Sequence, residues 1–213
     1  MPGRELPDRR HAETVILLHG LGGTDWNLRY LGGRLGACGL RVEYYRYPSR
    51  KGRLEDAARG LADKVERTGG DRVHLAGHSL GGIVIAKMLE ASPSPNVGRL
   101  ALIGCPIRGS AAVEALLETR LGRGLVGPVA GEGIVECRPR VPAGRDILVV
   151  AGTFPLGVGL LIGLPRPHDG WIQVSETHVD GARVVLSRAW HFGMLFSRRV
   201  ADRLCAFFNG DLG

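Results

Sequence analysis

The sequence predicts an α/β protein built on a mostly parallel central sheet with helices on both faces. Three observations carry this. Short apolar runs alternate with helical periodicity along the whole 213 residues. The runs are continuous rather than polar at every second position, as strands buried on both faces are. Glycine or proline punctuates nearly every junction.

Taken in order, TVILLHG (14–20) reads as a buried strand. NLRYLGGRLGACG (27–39) spaces Leu28, Leu31 and Leu35 as a helix does. LRVEYYRYP (40–48) is the next strand, stopped by Pro48. LEDAARGLADKVERTG (54–69) puts Leu54, Ala58, Leu61 and Val65 on one helical face and ends on glycine. RVHLAG (72–77) is a strand, and GGIVIAKMLEAS (81–92) a helix stopped by Pro93. RLALIGCP (99–106) is a strand, followed by a helix over 110–122 with Ser110 as its N-cap. DILVVAG (146–152) and ARVVLS (182–187) complete the strands, and MLFSRRVADRLCAFF (194–208) closes the chain as a helix. The segment 122–145, rich in Gly, Pro and Arg, reads as an irregular excursion.

Length and the absence of linkers or repeats point to one domain over 1–213, with its core at about 14–208 and 107–145 as a partial cap. The formal net charge of +7 comes mostly from arginine, since lysine occurs only at Lys51, Lys64 and Lys87. These cations are scattered, with no basic run and no interleaved aromatics, so nucleic acid is not the expected partner. Oligomeric state has no signature. Cys38, Cys105, Cys137 and Cys205 lie far apart without a CxxC pair, which fits neither a metal site nor a dense disulfide framework; reduced, structural thiols are the default expectation, with a single bridge left open. The opening MPGRELPDRRHAE lacks the apolar core of a signal peptide, giving a cytoplasmic protein as the expectation. Residues 147–165 carry no charge, yet five glycine and proline interruptions at Gly152, Pro155, Gly157, Gly159 and Gly163 favour a core strand and an apolar loop over a membrane span.

Ligands of open parallel sheets bind beyond the carboxyl ends of the strands, so residues just after strands matter most. Gly77-His78-Ser79-Leu80-Gly81 fits the G-x-S-x-G turn that lifts a serine nucleophile above the sheet, at a bend where side chains on the glycines would collide with backbone. A serine needs a base and a group to orient it, in the chain order Ser, acid, His. Of the histidines after Ser79, His191 alone lies between the last strand and the final helix. Asp169 follows the strand at 146–152 on the carboxyl side, whereas Asp146 starts that strand and Asp180 sits in an ordinary Asp-Gly turn; Glu176 is second choice. Backbone N–H groups of Leu80 and of Leu21, in HGLGG (19–23), are the expected donors to a developing oxyanion. HGLGGT is not a dinucleotide fingerprint, because Asp25 stands where the third glycine would be.

Together, HGLGGTDWNLRYLGGRLGACGLRVEYYRYPS, GHSLGG, CPIRGS, HDG and WHFGMLFS resemble the α/β-hydrolase superfamily, and in particular small bacterial GHSxGG esterases and lipases. The resemblance implies Ser79 as nucleophile, Asp169 as acid, His191 as base, and Leu21 and Leu80 as oxyanion donors, acting on a small-molecule ester without a cofactor. The chain departs from that pattern at Gly104-Cys105-Pro106, where such lipases carry Gly-Thr-Pro, and has no long helical cap. Trp26 and Trp171, with the apolar stretch 153–165, are candidates to line an acyl-binding groove. A thioesterase or acyltransferase with the same triad, or a binding protein on this scaffold, are the alternatives.

Overall fold

The computed structural model describes residues 13–69, 72–92, 94 and 96–211; all but the last residue of the N-terminal stretch read above for targeting, and Pro93, lie outside the described residues. Strands β1 (Thr14–Leu18), β2 (Arg41–Tyr45), β3 (Val73–His78), β4 (Val97–Ile103), β5 (Ile147–Gly152) and β6 (Arg183–Ser187) form one six-stranded sheet. Its order is β2-β1-β3-β4-β5-β6, and every pairing is parallel, with Val15 beside both Val42 and His74 and Leu102 beside Val149.

Successive strand residues point to opposite faces, which divides the core in two. Ile16, Leu18, Leu75 and Leu102 meet α2 (Leu54–Thr68) and α3 (Leu80–Ala91) on one face. Val15, Leu17, Ala76 and Ile103 meet α1 (Asp25–Ala37) and α7 (Arg198–Asn209) on the other. The stripes anticipated from periodicity are the buried ones: Leu28, Leu31 and Leu35 in α1, and Leu54, Ala58, Leu61 and Val65 in α2. Full burial of each leucine contributes about 1.5–3 kcal/mol. Beyond α6 (Val158–Leu161), the connection from β5 to β6 carries no long helix among the described residues, so Val184 and Leu186 of β6 stay exposed. There the expected two-sided cover is incomplete.

The segment 107–145 departs most from its sequence reading. The helix begun by Ser110, whose hydroxyl accepts from the Val113 N–H, stops at Leu117 as α4 (Ala111–Leu117). A new helix, α5 (Arg120–Gly131), then runs through the part read as irregular, and a π-helical turn (Glu132–Cys137) follows it. Thr119 caps α5 by accepting from the Gly122 N–H. Its glycines lower helix propensity, and packing overrides them. A Cβ on Gly122 would lie 1.9 Å from the Leu116 carbonyl oxygen. Pro128 is tolerated because the helix breaks at Gly127 (φ 70°), which leaves the proline to start a fresh segment.

A disulfide joins Cys38, the C-cap of α1, to Cys205 in α7, so reduced thiols were the wrong expectation for these two; Cys105 is a buried free thiol. The reason is tertiary: α1 and α7 lie side by side, bridged also by an Arg34–Asp202 ion pair at 2.6 Å, and spacing along the chain does not report that. The uncharged stretch 147–165 is β5, a loop and the short α6, and no helix among the described residues is long and apolar enough to cross a membrane.

Candidate active site

Strand β3 hands over to α3 through a single residue. Ser79 adopts φ 53° and ψ −121°, a region that costs a non-glycine residue about 1–3 kcal/mol. Its N–H donates to the Ile103 carbonyl (2.9 Å) and its carbonyl accepts from Gly82 (3.0 Å), which hold the turn. Sterics require the flanking glycines, as the motif demanded: a Cβ on Gly77 would lie 2.5 Å from the Gly82 nitrogen, and one on Gly81 2.7 Å from the Leu18 carbonyl oxygen. Ser79 is the N-cap of α3, yet its hydroxyl makes no capping bond, unlike Ser110 and Ser197, which cap α4 and α7.

The base and acid candidates meet at the same carboxyl edge of the sheet. His191 Nδ1 lies 2.7 Å from Asp169 Oδ2, with both residues buried. A carboxylate can only accept, so Nδ1 carries a proton, and in the neutral tautomer this leaves Nε2 with its lone pair. The His191 N–H donates to the Asp169 carbonyl (2.9 Å), and Asp169 Oδ1 accepts from the Trp171 and Ile172 N–H groups at 2.9 and 2.8 Å. Burial alone would raise the Asp169 pKa, but the nearby His191 and these hydrogen bonds outweigh it and hold the carboxyl below its ordinary value.

Room for this pair comes from two glycines that the sequence reading did not single out as site residues. A Cβ on Gly104 (φ 58°) would lie 2.7 Å from Met194 Cε and 3.2 Å from His191 Nδ1, and one on Gly152 would lie 2.6 Å from Asp169 Cβ. Their one sequence signal was position, since Gly104 follows β4 and Gly152 ends β5.

The HGLGG loop follows β1. Neither the Leu21 nor the Leu80 N–H donates to an acceptor among the described residues. Two residues beyond β2 hold the loop and were missed. Ser49 Oγ accepts from the Gly22 N–H (3.0 Å), and the Tyr47 hydroxyl donates to the His19 carbonyl (2.7 Å) while its ring stacks on His19 at 4.7 Å. The only hint lay in YRYPS, polar residues just past a strand's carboxyl end.

Trp26 is 73% exposed, at the rim of a cleft of about 320 Å³ that His19, Gly23, Thr24, Arg46 and Tyr47 also line. Trp171 is half-buried and holds Asp169 through its backbone N–H. Glu176 is no rival to Asp169, because its carboxylate accepts from the Ala111 and Gln173 N–H groups, both at 2.7 Å. Cys105 lies under the serine turn, its thiol donating to the Gly77 carbonyl (3.1 Å), and burial pushes its pKa up to about 12, so it stays a protonated thiol. Among the described residues no group of three His, Cys, Asp or Glu could hold a metal ion.

A parallel sheet with a strained serine at the end of one strand and a buried His–Asp pair beyond two others is an arrangement built like that of the alpha/beta hydrolases. The family model of the alpha/beta hydrolases matches residues 15–208, and the chain belongs to that family. No curated protein matches it by sequence. Among solved structures it is similar to the Bacillus licheniformis lipase BlEst2 in mature form, at TM-score 0.78 and 18% identity over 94% of each chain. It is also similar to the carboxylesterase CesB of Bacillus subtilis, at TM-score 0.60 and 18% identity over 93% of this chain and 84% of the other. A third is RedJ, a thioesterase of the prodiginine pathway in Streptomyces coelicolor, at TM-score 0.58 and 17% identity over 100% and 90%. At such identities the likeness is one of fold.

Proposed function

We propose that the chain is a serine hydrolase cleaving carboxylic esters of small to medium acyl chain. Ser79 attacks the ester carbonyl as His191 Nε2 takes its proton, while Asp169 holds the imidazole and stabilises its charged form. The Leu21 and Leu80 N–H groups bind the oxyanion of the tetrahedral intermediate. His191 then protonates the leaving alcohol, and water, activated by the same imidazole, releases the acid from the acyl-enzyme. The observation that carries this reading is the buried 2.7 Å His191–Asp169 pair at the same sheet edge as the strained Ser79. Trp26, Trp171 and the apolar residues after β5 are the proposed lining of the acyl site.

Hydrolysis of p-nitrophenyl esters of increasing acyl length, by wild type and Ser79→Ala, tests the proposal. Turnover abolished in the variant supports it, and the preferred length sizes the acyl site. A wild type inactive on every ester rejects it, and acyl-CoA substrates then test the thioesterase alternative.

A further inference from the structure

We infer that His78 is a positioning residue for this reaction, tying the base loop to the nucleophile turn and to the HGLGG loop. The inference rests on the proposed roles of Ser79, His191 and Asp169. Three contacts carry it. His78 Nε2 lies 3.1 Å from the His191 carbonyl oxygen, and since a carbonyl only accepts, Nε2 carries the proton and donates. The two imidazole rings pack at 4.7 Å, tilted by 46°. On the far side Gly20 comes so close that a Cβ there would lie 3.1 Å from His78 Nδ1 and 3.0 Å from Ser79 Cβ.

The consequence for His191 is geometric. Its N–H is held by the Asp169 carbonyl, its ring Nδ1 by the Asp169 carboxylate and its carbonyl by His78. With the backbone fixed on both sides and the ring fixed at one nitrogen, Nε2 has little freedom left. An error of about 1 Å in the aim of a reacting group can cost roughly 100-fold in rate. The motif leaves this position open to any residue, so nothing in G-x-S-x-G asks for a donor here.

Histidine suits the place because it stays uncharged there. Burial first, then the neighbouring His191, push its pKa down to about 3; the groups facing it are His191, Asp169 and His19. A ring that remains neutral gives a hydrogen bond without opposing the proton that His191 must accept.

The test compares wild type, His78→Phe, His78→Gln and Ser79→Ala on a p-nitrophenyl ester, reading kcat and KM separately together with the rate of fluorophosphonate labelling of Ser79. Phenylalanine keeps the ring and loses the donor; glutamine can return an amide N–H to the same place. The expected result is a kcat for His78→Phe lowered about 10- to 100-fold with KM within about twofold, slowed labelling, and recovery to within about fivefold in His78→Gln. Wild-type kcat in His78→Phe, or equal impairment of two folded variants, overturns the role. Should His78→Phe not fold, the ¹⁵N shifts of His78 in the wild type decide: a proton on Nε2 and no titration between pH 5 and 9 supports it, and a proton on Nδ1 overturns it. A wild type whose Ser79 is neither labelled nor needed for turnover rejects instead the hydrolase reading on which the role depends.

Discussion

Asp169 and His191 are joined twice, side chain to side chain at 2.7 Å and backbone to backbone at 2.9 Å, which ties the loop between β5 and β6 to the loop after β6. Because the backbone bond is indifferent to the side chain, the acid can be disarmed without losing the loop. Asp169→Asn keeps Oδ1 as acceptor for Trp171 and Ile172 but offers His191 the wrong partner, favouring the wrong tautomer. We expect kcat to fall about 10³- to 10⁴-fold with the melting temperature little changed, checked by ester turnover beside circular dichroism.

Acid should destabilise the fold below about pH 6.5. His78 is neutral in the folded chain, with a pKa pushed by burial to about 3, while in the unfolded chain it takes a proton near 6.5. The unfolded state therefore binds more protons between those values, and stability present above 6.5 is lost as pH falls, at up to about 1.4 kcal/mol per pH unit. Buried His74, also lowered by desolvation, adds in the same direction. Asp169, held below its ordinary value, adds a further loss as pH falls through its folded pKa. Urea midpoints measured from pH 8 to pH 4 should stay level down to about pH 6.5 and fall below it, and a profile flat throughout would refute this.

Gly77→Ala should cost about 3 kcal/mol or more and abolish activity, because its Cβ would collide with backbone at Gly82 and Gly81 that cannot swing aside. Gly33→Ala is the control: nothing lies within 4 Å of its would-be Cβ, so it should be neutral or slightly stabilising. Denaturant midpoints of the two variants compare them directly.

Ser49→Ala removes the acceptor that holds the Gly22 N–H, next in the chain to the proposed oxyanion donor Leu21. We expect kcat to drop about tenfold with KM nearly unchanged, since the oxyanion forms only in the transition state. An effect confined to KM would instead place Ser49 in substrate binding.

Reduction of the Cys38–Cys205 bond should cost about 2–5 kcal/mol of stability, the upper end being the chain entropy of the 167-residue separation it closes. Activity should be little altered, because α1 and α7 pack on the sheet face away from α3, the helix that the serine turn begins. Melting with and without dithiothreitol checks this, beside Cys205→Ser.

By itself the sequence determined the alternation of strand and helix, the apolar stripes of α1 and α2, and the serine turn, because each is written in residues close together in the chain. Even the partnership of Asp169 and His191 was legible, since both follow strands and a parallel sheet puts such loops at its carboxyl edge. What only the tertiary structure decided depends on residues far apart in sequence. Cys38 meets Cys205 because two helices share a face. Gly122, Gly127 and Pro128 sit in or beside a helix because packing and a single break at Gly127 overcome weak local propensity. Ser49 and Tyr47 hold a loop more than twenty residues earlier, and His78 reaches a carbonyl 113 residues away. Local pattern reports propensity and burial, whereas a hydrogen bond between distant loops exists only once the sheet has brought its strand ends together.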